Sequence, residues 1–333
     1  MKSRAKALCK FAPVSGVLSV VVIVLLGGLS STPSLAQSQK KGDASIRLEV
    51  QHIRTGKFIF DLGEANYWTT DTQVMLISGD YAVSDRLTVF GALPYVRKRF
   101  NAGELFGGDP HNPNDFYWVD FVPPDKRFWD DGEYHGDFQD FSIGVSYVLT
   151  EEGPLTVTPF MSYGVPVSNY PFFAKAAIGK NLWTLPVGVS LSYVPYFSDW
   201  HFDGSFAYVF SEKPIDINVD YSVLHLSAGY WFKPNLSINV FLAGKYTWQG
   251  YEFSDFADDI FSAVYPDDFG TEVWWHHDRL FAARHLNIGA GFDYFLNESY
   301  KVSGSGYTGI WAESTNEIDF AFTLAVTRYF GAE

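Results

Sequence analysis

Strict alternation of apolar and small polar residues is the feature of this sequence that most constrains its fold. From Leu236 to Trp248, one set of alternate positions is apolar apart from one glycine, and the other set is mostly polar or small. Successive side chains of a β-strand point to opposite faces, so this segment has one apolar face and one mostly polar face. The same pattern recurs after residue 44 and again from Ile318 to Phe330. The sequence therefore predicts an all-β protein.

The composition of the less apolar face separates a soluble sandwich from a membrane barrel. The solvent face of a sandwich would be rich in Lys, Glu and Arg, whereas this face is rich in Ser, Thr, Gly, Ala and Asn. Small polar side chains suit the inner wall of a barrel, and the apolar face ends in Tyr, Trp and Phe, as it does at membrane interfaces. The segments also reach the roughly 9–11 residues of a transmembrane strand. We therefore expect the apolar face to contact lipid and the polar face to line a lumen.

Short and long connections alternate along the chain. Turns such as 82–86 and 231–235 are short and polar, so the strands that they join are antiparallel neighbours. Alternation of short turns with long loops is typical of outer-membrane barrels. The predicted fold is a single-domain, transmembrane, antiparallel up-and-down β-barrel of about twelve strands over residues 44–333. The predicted strands are 45–53, 69–83, 86–100, 136–150, 155–167, 182–196, 201–210, 217–232, 236–251, 281–296, 300–313 and 318–330.

The N-terminus is typical of a cleaved secretory signal. Residues 1–13 carry four bases and no acid, an apolar run follows at 14–29, and Ala36 occupies the small-residue position of a cleavage site. We predict a signal peptide over residues 1–36 and a short polar lead-in over 37–43. The alternative is a retained membrane anchor, for which the apolar run is shorter than the roughly 20 residues that a span needs.

Composition and motifs exclude several functional classes. Lys and Arg number 24 and Asp and Glu number 38, giving a net charge of −14, whereas a nucleic-acid-binding protein carries a basic patch. The single cysteine, Cys9, provides neither a disulfide framework nor a cysteine zinc cluster. The chain contains no G-x-S-x-G motif and no phosphate-binding glycine-rich loop. We predict no nucleic-acid partner, no enzyme and no cofactor.

Seven polar residues on the predicted inward faces are candidates for a constriction. A charge is tolerated there if water or a partner meets it, whereas Lys or Arg at mid-depth on the lipid face costs about 2–4 kcal/mol. Two interpretations stay open: a constriction that selects solutes by charge and size, or a hydrogen-bonded network that fills a small barrel. The candidates are Asp80, Asp140, Asn239, Lys245, Asn287, Asp293 and Asp319.

Two long connections, 101–135 and 252–280, are both acidic and aromatic. Clustered carboxylates could hold Ca²⁺ or form a mouth for a cationic or aromatic solute. Alternatively, the charges keep exposed aromatic rings soluble or bridge lipopolysaccharide through divalent ions. The spacing of a calcium-binding EF-hand is absent, and the neighbouring His276 and His277 would point apart on an extended chain, so we predict no metal site.

Two segments carry a resemblance to a known family. TDTQVMLISGDYAVSDRLTVFGALPYV (70–96) and HGDFQDFSIGVSYVL (135–149) resemble a strand–turn–strand unit and the opening of the next strand in bacterial outer-membrane proteins grouped under the MetA pathway of phenol degradation. The resemblance implies an outer-membrane barrel, transporter-like, with uptake of hydrophobic or aromatic compounds. It implies no catalytic residues.

The resulting hypothesis is a passive channel in the bacterial outer membrane for a small, hydrophobic or aromatic solute. The alternative is a non-transporting barrel whose acidic aromatic loops bind a partner or stiffen the envelope. The expected partners are outer-membrane lipid, lipopolysaccharide, the solute, and the barrel-assembly machinery. That machinery would recognise the alternating C-terminal strand, which ends at Phe330.

Overall fold

The structure is a computed structural model that describes residues 40–60, 63–65, 68–102, 132–150, 153–173, 175–252 and 272–331. The predicted signal peptide and most of the acidic loops lie outside these residues. In the part of the chain that is described, fourteen strands form one antiparallel sheet. The strands are β1 Ala44–Phe60, β2 Gly63–Ala65, β3 Trp68–Ala82, β4 Leu87–Ala102, β5 His135–Phe138, β6 Asp140–Tyr147, β7 Leu155–Pro166, β8 Thr184–Tyr193, β9 Trp200–Ser211, β10 Tyr221–Lys233, β11 Leu236–Thr247, β12 Arg284–Asn297, β13 Tyr300–Glu313 and β14 Thr315–Phe330.

The sheet closes into a barrel because its first and last strands pair. β1 pairs with β14 from Ala44–Phe330 to Ile59–Thr315, and its other edge pairs with β3. β5 and β6 both pair with β4 and form one barrel strand interrupted at Gln139, whereas β2 is a three-residue extension beside β1. The described residues therefore form a closed barrel of twelve antiparallel strands, which confirms the predicted fold.

The turns that join β3 to β4, β6 to β7, β8 to β9, β10 to β11 and β12 to β13 all lie at one end of the barrel, which we call the turn end. Both β1 and β14 reach this end, where Ala44 pairs with Tyr81 and Phe330. The long connections lie at the opposite end, the loop end. One of them contains α1, the helix Glu272–Leu280, in a segment that the sequence predicted as a loop. Among the described residues, no helix is both long and apolar enough to cross a membrane.

The two faces of the wall invert the pattern of a soluble protein. Large apolar side chains such as Leu48 and Val240 are exposed on the outer face, and the polar side chains of Glu49 and Gln51 are buried on the inner face. An apolar outer surface of this extent is stable only in an apolar environment, because the free-energy cost of exposing it to water grows with its area. The outer face is therefore that of a membrane-spanning barrel.

Two strands differ from their predicted form. β1 runs over 17 residues rather than the predicted nine. Its outward positions His52 and Arg54 are polar, so the apolar alternation ends before the strand does. The predicted strand 217–232 begins only at Tyr221, and its pairing with β11 is regular through Val223. Val223 and Leu224 are adjacent apolar residues, which interrupts the regular alternation of the predicted strand. Val223 faces the lumen and its pairing is regular, so the predicted start of the strand was wrong and no bulge occurs there.

Candidate functional site

The connection between β7 and β8 folds into the barrel at the loop end. We call residues 167–183 the inward loop; residue 174 is not described. Its Tyr170, Ala176 and Ile178 are buried in one apolar cluster with lumenal side chains of β3 and β4, including Val96. The amide of Gln139, at the interruption between β5 and β6, donates to the carbonyl of Ile178 at 2.5 Å. The inward loop therefore obstructs the barrel mouth.

The hydroxyl of Tyr170 anchors the inward loop to the wall. It donates to the Asp140 carboxylate and accepts a hydrogen bond of 3.0 Å from the backbone N–H of Asn181. The Asn181 side chain donates back to the Tyr170 carbonyl at 2.8 Å. Burial and the Asp140 charge raise the pKa of Tyr170, so the hydroxyl keeps the proton that it donates. Asp140 is thus a structural partner of the inward loop.

Helix α1 holds the inward loop from the loop end. Lys180 Nζ donates to the Arg279 carbonyl at 3.0 Å, and Arg279 Nη2 donates to the Asn181 carbonyl at 3.2 Å. The Arg279 guanidinium also stacks 3.2 Å from the centroid of the Phe172 ring. Burial lowers the pKa of Lys180 to about 8 and that of Arg279 to about 10. The loop and the helix therefore form one packed cap.

The two adjacent histidines of α1 take part in this cap. His276 contacts the ring of Phe172, and His277 contacts the ring of Phe173, with centroid separations of 5.2 and 5.4 Å. Among the described residues, no group of three or more His, Cys, Asp or Glu side chains could hold a metal ion. These contacts show the histidines packing on the inward loop.

Several lumenal rings lie against glycines of the neighbouring strand. A Cβ atom at Gly289 would lie 2.3 Å from the Phe241 ring, and one at Gly144 would lie 2.4 Å from the Phe90 ring. Phe160 and His201 lie in the same way over Gly188 and Gly229. Because glycine has no side chain, each ring can pack on the backbone of the wall. The rings thus lie flat against the inner wall, where Phe90 and Phe241 are buried.

The lumenal rings form two groups at different depths. At mid-depth, Phe241 contacts His225 and Tyr307, with centroid separations of 5.7 and 6.2 Å. At the turn end, consecutive contacts of 5.6 to 6.3 Å link four rings from β9 to β14. These rings belong to His201, Trp231, Phe295 and Tyr329. A solute that crosses the barrel would meet both groups.

The predicted lumenal residues do not converge on one constriction. Asp80 and Asp293 lie near the turn end, where Asp80 accepts a hydrogen bond from Ser45. Asp293 accepts one from Ser303 and pairs with Lys301 at 3.3 Å. At the loop end, Asp140 holds the inward loop. The carboxylates of Asp80, Asp140 and Asp293 are therefore spread over two levels of the barrel, and each of these three has a partner.

The remaining candidates divide between the two faces of the wall. Asn239 faces the lumen across from Gly291, and Lys245 and Asn287 lie on the adjacent strands β11 and β12. Asp319 differs, because β14 has a bulge at this position and Arg54 and Thr55 of β1 pair with residues 320 and 318. The bulge shifts the alternation, so Ile318, at 3% exposed, is inward and Asp319 is exposed beside Gly56. The alternation predicts Ile318 on the outer face and Asp319 on the inner face, and the structure shows that both predictions were wrong.

The inward loop is the element that sequence reasoning missed. The sequence predicts residues 168–181 only as a connection between two strands, although the run from Ala176 to Ile178 is apolar. An apolar run between two strands is a signal of burial that could have indicated it. The predicted acidic loop 101–135 lies largely outside the described residues.

A group of arginines lies on the outer face at the loop end. We call Arg54, Arg97 and Arg99 the basic patch. Asp71 is buried beneath it, 2.9 Å from Arg99 and 3.8 Å from Arg54. The Tyr134 ring packs 4.9 Å from the Arg97 guanidinium and 4.7 Å from that of Arg99. Arg54 and Arg99 thus share one buried carboxylate on the outside of β1, β3 and β4, and Arg97 donates to the Gln73 side chain at 2.7 Å.

Comparisons with known proteins bear on the fold alone. Neither a protein-family model nor a curated protein matches the chain. An outer-membrane channel from Pseudomonas putida F1 is similar in structure, with a TM-score of 0.66 at 12% identity over 90% of this chain and 100% of that chain. The translocator domain of the autotransporter NalP from Neisseria meningitidis gives 0.46 at 7% identity, over 89% and 91% of the two chains. The monoaromatic hydrocarbon channel CymD gives 0.40 at 13% identity, over 88% and 90%.

Proposed function

We propose that the protein is a channel of the bacterial outer membrane for passive passage of a small solute that is largely apolar or aromatic. The observation that supports this most is the lining of the lumen. Phe90, Phe160 and Phe241 point into the barrel and lie on glycines of the wall, so the inner wall is lined by closely packed aromatic rings. Such rings bind apolar and aromatic solutes weakly at successive depths, which suits permeation.

The size limit of the solute follows from the cap at the mouth. The inward loop packs on β3 and β4, and α1 packs on the inward loop, so the remaining path past them is narrow. The similarity to an outer-membrane channel of Pseudomonas putida agrees with the proposal at the level of fold. We assign no catalytic role to the lumenal carboxylates, since Asp80, Asp140 and Asp293 have structural partners.

The channel is tested by reconstitution into planar lipid bilayers. We expect stepwise increases in current, and we expect benzyl alcohol to interrupt the current more strongly than an aliphatic polyol of similar size. The double variant Phe160→Leu and Phe241→Leu should conduct normally but lose most of this block, because the leucines keep apolar volume and remove the rings. Tyr163→Leu, which replaces an outward ring, is the matched control. If folded, heat-modifiable protein carries no current, the alternative of a non-transporting barrel is favoured.

We also propose that the basic patch binds phosphates of lipopolysaccharide in the outer leaflet. The loop end of an outer-membrane barrel faces the cell exterior, so the patch lies at the level of those headgroups. Arginine suits this role because its planar guanidinium donates two parallel hydrogen bonds to a phosphate. Tyr134 and the buried Asp71 hold the guanidinium groups in place, which lowers the entropy lost on binding.

The basic patch is tested by measuring the lipopolysaccharide that copurifies with the protein. We expect Arg97→Ala with Arg99→Ala to lower the amount severalfold, because two phosphate contacts are lost. Arg86→Ala, in an exposed turn at the opposite end of the barrel, is the matched control and should retain the wild-type amount. Equal retention by both variants would contradict the proposal.

The pairing of β14 with β1 closes the barrel. We propose that the alternating outward residues of β14, from Phe320 to Phe330, are recognised by the barrel-assembly machinery. Normal assembly in cells depleted of that machinery would contradict this. The acidic residues invoked for partner binding lie mainly in 103–131 and 253–271, outside the described residues, so we build no second function on them.

A further inference from the structure

Lys245 is a buried lumenal cation without a carboxylate partner among the described residues. It lies on β11 at the loop end and is 6% exposed. Its Nζ atom lies 4.1 Å from the centroid of the Tyr221 ring on β10. The described residues place no carboxylate within ion-pair distance of it. The charge that acts on it from nearby is that of Lys180, which has the same sign.

Two other buried cations of the lumen are compensated by carboxylates of the wall. Arg47 pairs with Glu49 at 2.6 Å, and Lys301 pairs with Asp293 at 3.3 Å. An isolated buried charge is costly, so uncompensated cations are rare unless a ligand supplies the counter-charge. Lys245 is the lumenal position at which the described structure calls for an anion.

Two neighbouring side chains also carry a buried nitrogen atom that lacks a partner among the described residues. His285 of β12 is the cross-strand partner of Lys245, and Asn287 lies two residues farther along the same inward face. Nδ1 of His285 and Nδ2 of Asn287 are buried and have no hydrogen-bond partner within the described part of the chain, and Asn287 is 1% exposed as a residue. Buried polar atoms without partners are rare in folded proteins, and each calls for an explanation.

We propose that Lys245, His285 and Asn287 bind the carboxylate of a small organic solute as it crosses the barrel. This inference rests on the proposed channel function and narrows its substrate class. One carboxylate offers two acceptor oxygens and a single negative charge, which matches one lysine and two further nitrogen groups.

The walls beside these groups favour an organic carboxylate over a small inorganic anion. The buried side chains next to Lys245 include Tyr221, Val223 and Ala243, and the Phe241 ring lies four residues along the same face of β11. An apolar body attached to the carboxylate would contact these side chains, whereas inorganic phosphate would lose its hydration without that gain.

The test is a calorimetric titration of the folded, detergent-solubilised full-length protein with benzoate. We expect saturable binding that weakens about 10-fold or more in Lys245→Met, since a charge-assisted hydrogen bond contributes about 1.5–3 kcal/mol. Benzyl alcohol should bind the wild-type protein correspondingly more weakly than benzoate. Lys245→Arg should retain most of the affinity. Lys233→Met removes an exposed lysine at the turn end and should bind as the wild type does.

The comparison of benzoate with benzyl alcohol needs no variant, so it decides the proposal even if Lys245→Met fails to fold. The proposal is overturned if benzoate shows no saturable binding, if Lys245→Met binds it equally well, or if inorganic phosphate displaces it at equal concentration. Because calorimetry needs no current, lysine-dependent binding by a protein that does not conduct would refute the channel and leave the carboxylate site intact. Conduction without benzoate binding would support the channel and refute the carboxylate site.

Discussion

We expect excision of the inward loop to raise the single-channel conductance severalfold. The change replaces residues 168–181 with a short Gly-Ser linker. The ends of β7 and β8 are adjacent, because Gly164 pairs with Thr184, so a few residues close the gap without straining the wall. Removal of Tyr170 and Ile178 from the mouth deletes the packed obstruction, and the measurement is the current step in a planar bilayer.

A smaller change tests the same obstruction without altering the length of the chain. Tyr170→Phe removes the hydroxyl that bonds to Asp140 and to the backbone of Asn181, so we expect frequent transitions to a more conducting state. Tyr163→Phe alters an exposed outward tyrosine and serves as the matched control. If the current step is unchanged after excision, the inward loop does not obstruct permeation.

An arginine on the outer face at mid-depth destabilises the barrel strongly. Leu324 lies near the middle of β14, is 51% exposed, and pairs with Val50 and Gly304. Leu324→Arg places a cation in hydrocarbon, so we expect the free energy of unfolding in bilayers to fall by about 2–4 kcal/mol. Denaturant titration monitored by heat-modifiable gel mobility measures this change.

The same substitution near the membrane interface provides the control. Leu296, at 57% exposed, lies close to the turn end of β12. Leu296→Arg should cost only about 0–1 kcal/mol, because the side chain reaches the headgroups. Equal losses at the two positions, or a wild-type protein that stays monodisperse in buffer without detergent, would show that the outer face does not contact lipid.

Much of the fold was predictable because alternation is a local property. A strand sends successive side chains to opposite faces whatever the rest of the chain does. The alternation in 236–248, and in 318–330 from Phe320 onward, therefore predicted strands, lipid-facing rows and lumenal rows without information on long-range contacts. The short turns then fixed neighbouring strands as antiparallel, and the even number of strands brought Ala44 and Phe330 to the same end.

The candidate site was predicted only in part. The alternation placed Lys245 and Asn287 on the inward face, but it could not show that His285 faces Lys245 across the strand pair. That juxtaposition depends on the register between β11 and β12. The glycine and phenylalanine pairs, such as Gly289 with Phe241, are equally invisible in sequence, because the partners lie on different strands.

The sequence by itself determined the class of fold, the number of strands and the face of the wall that each regular strand residue occupies, since these follow from the two-residue period of an extended backbone. Only the tertiary structure decided that the inward loop enters the lumen, that Asp319 turns outward at a bulge, and that Lys245 has no carboxylate partner among the described residues. Each of these depends on contacts between residues far apart in the chain. Such contacts are set by packing and strand register, to which a local period contributes no information.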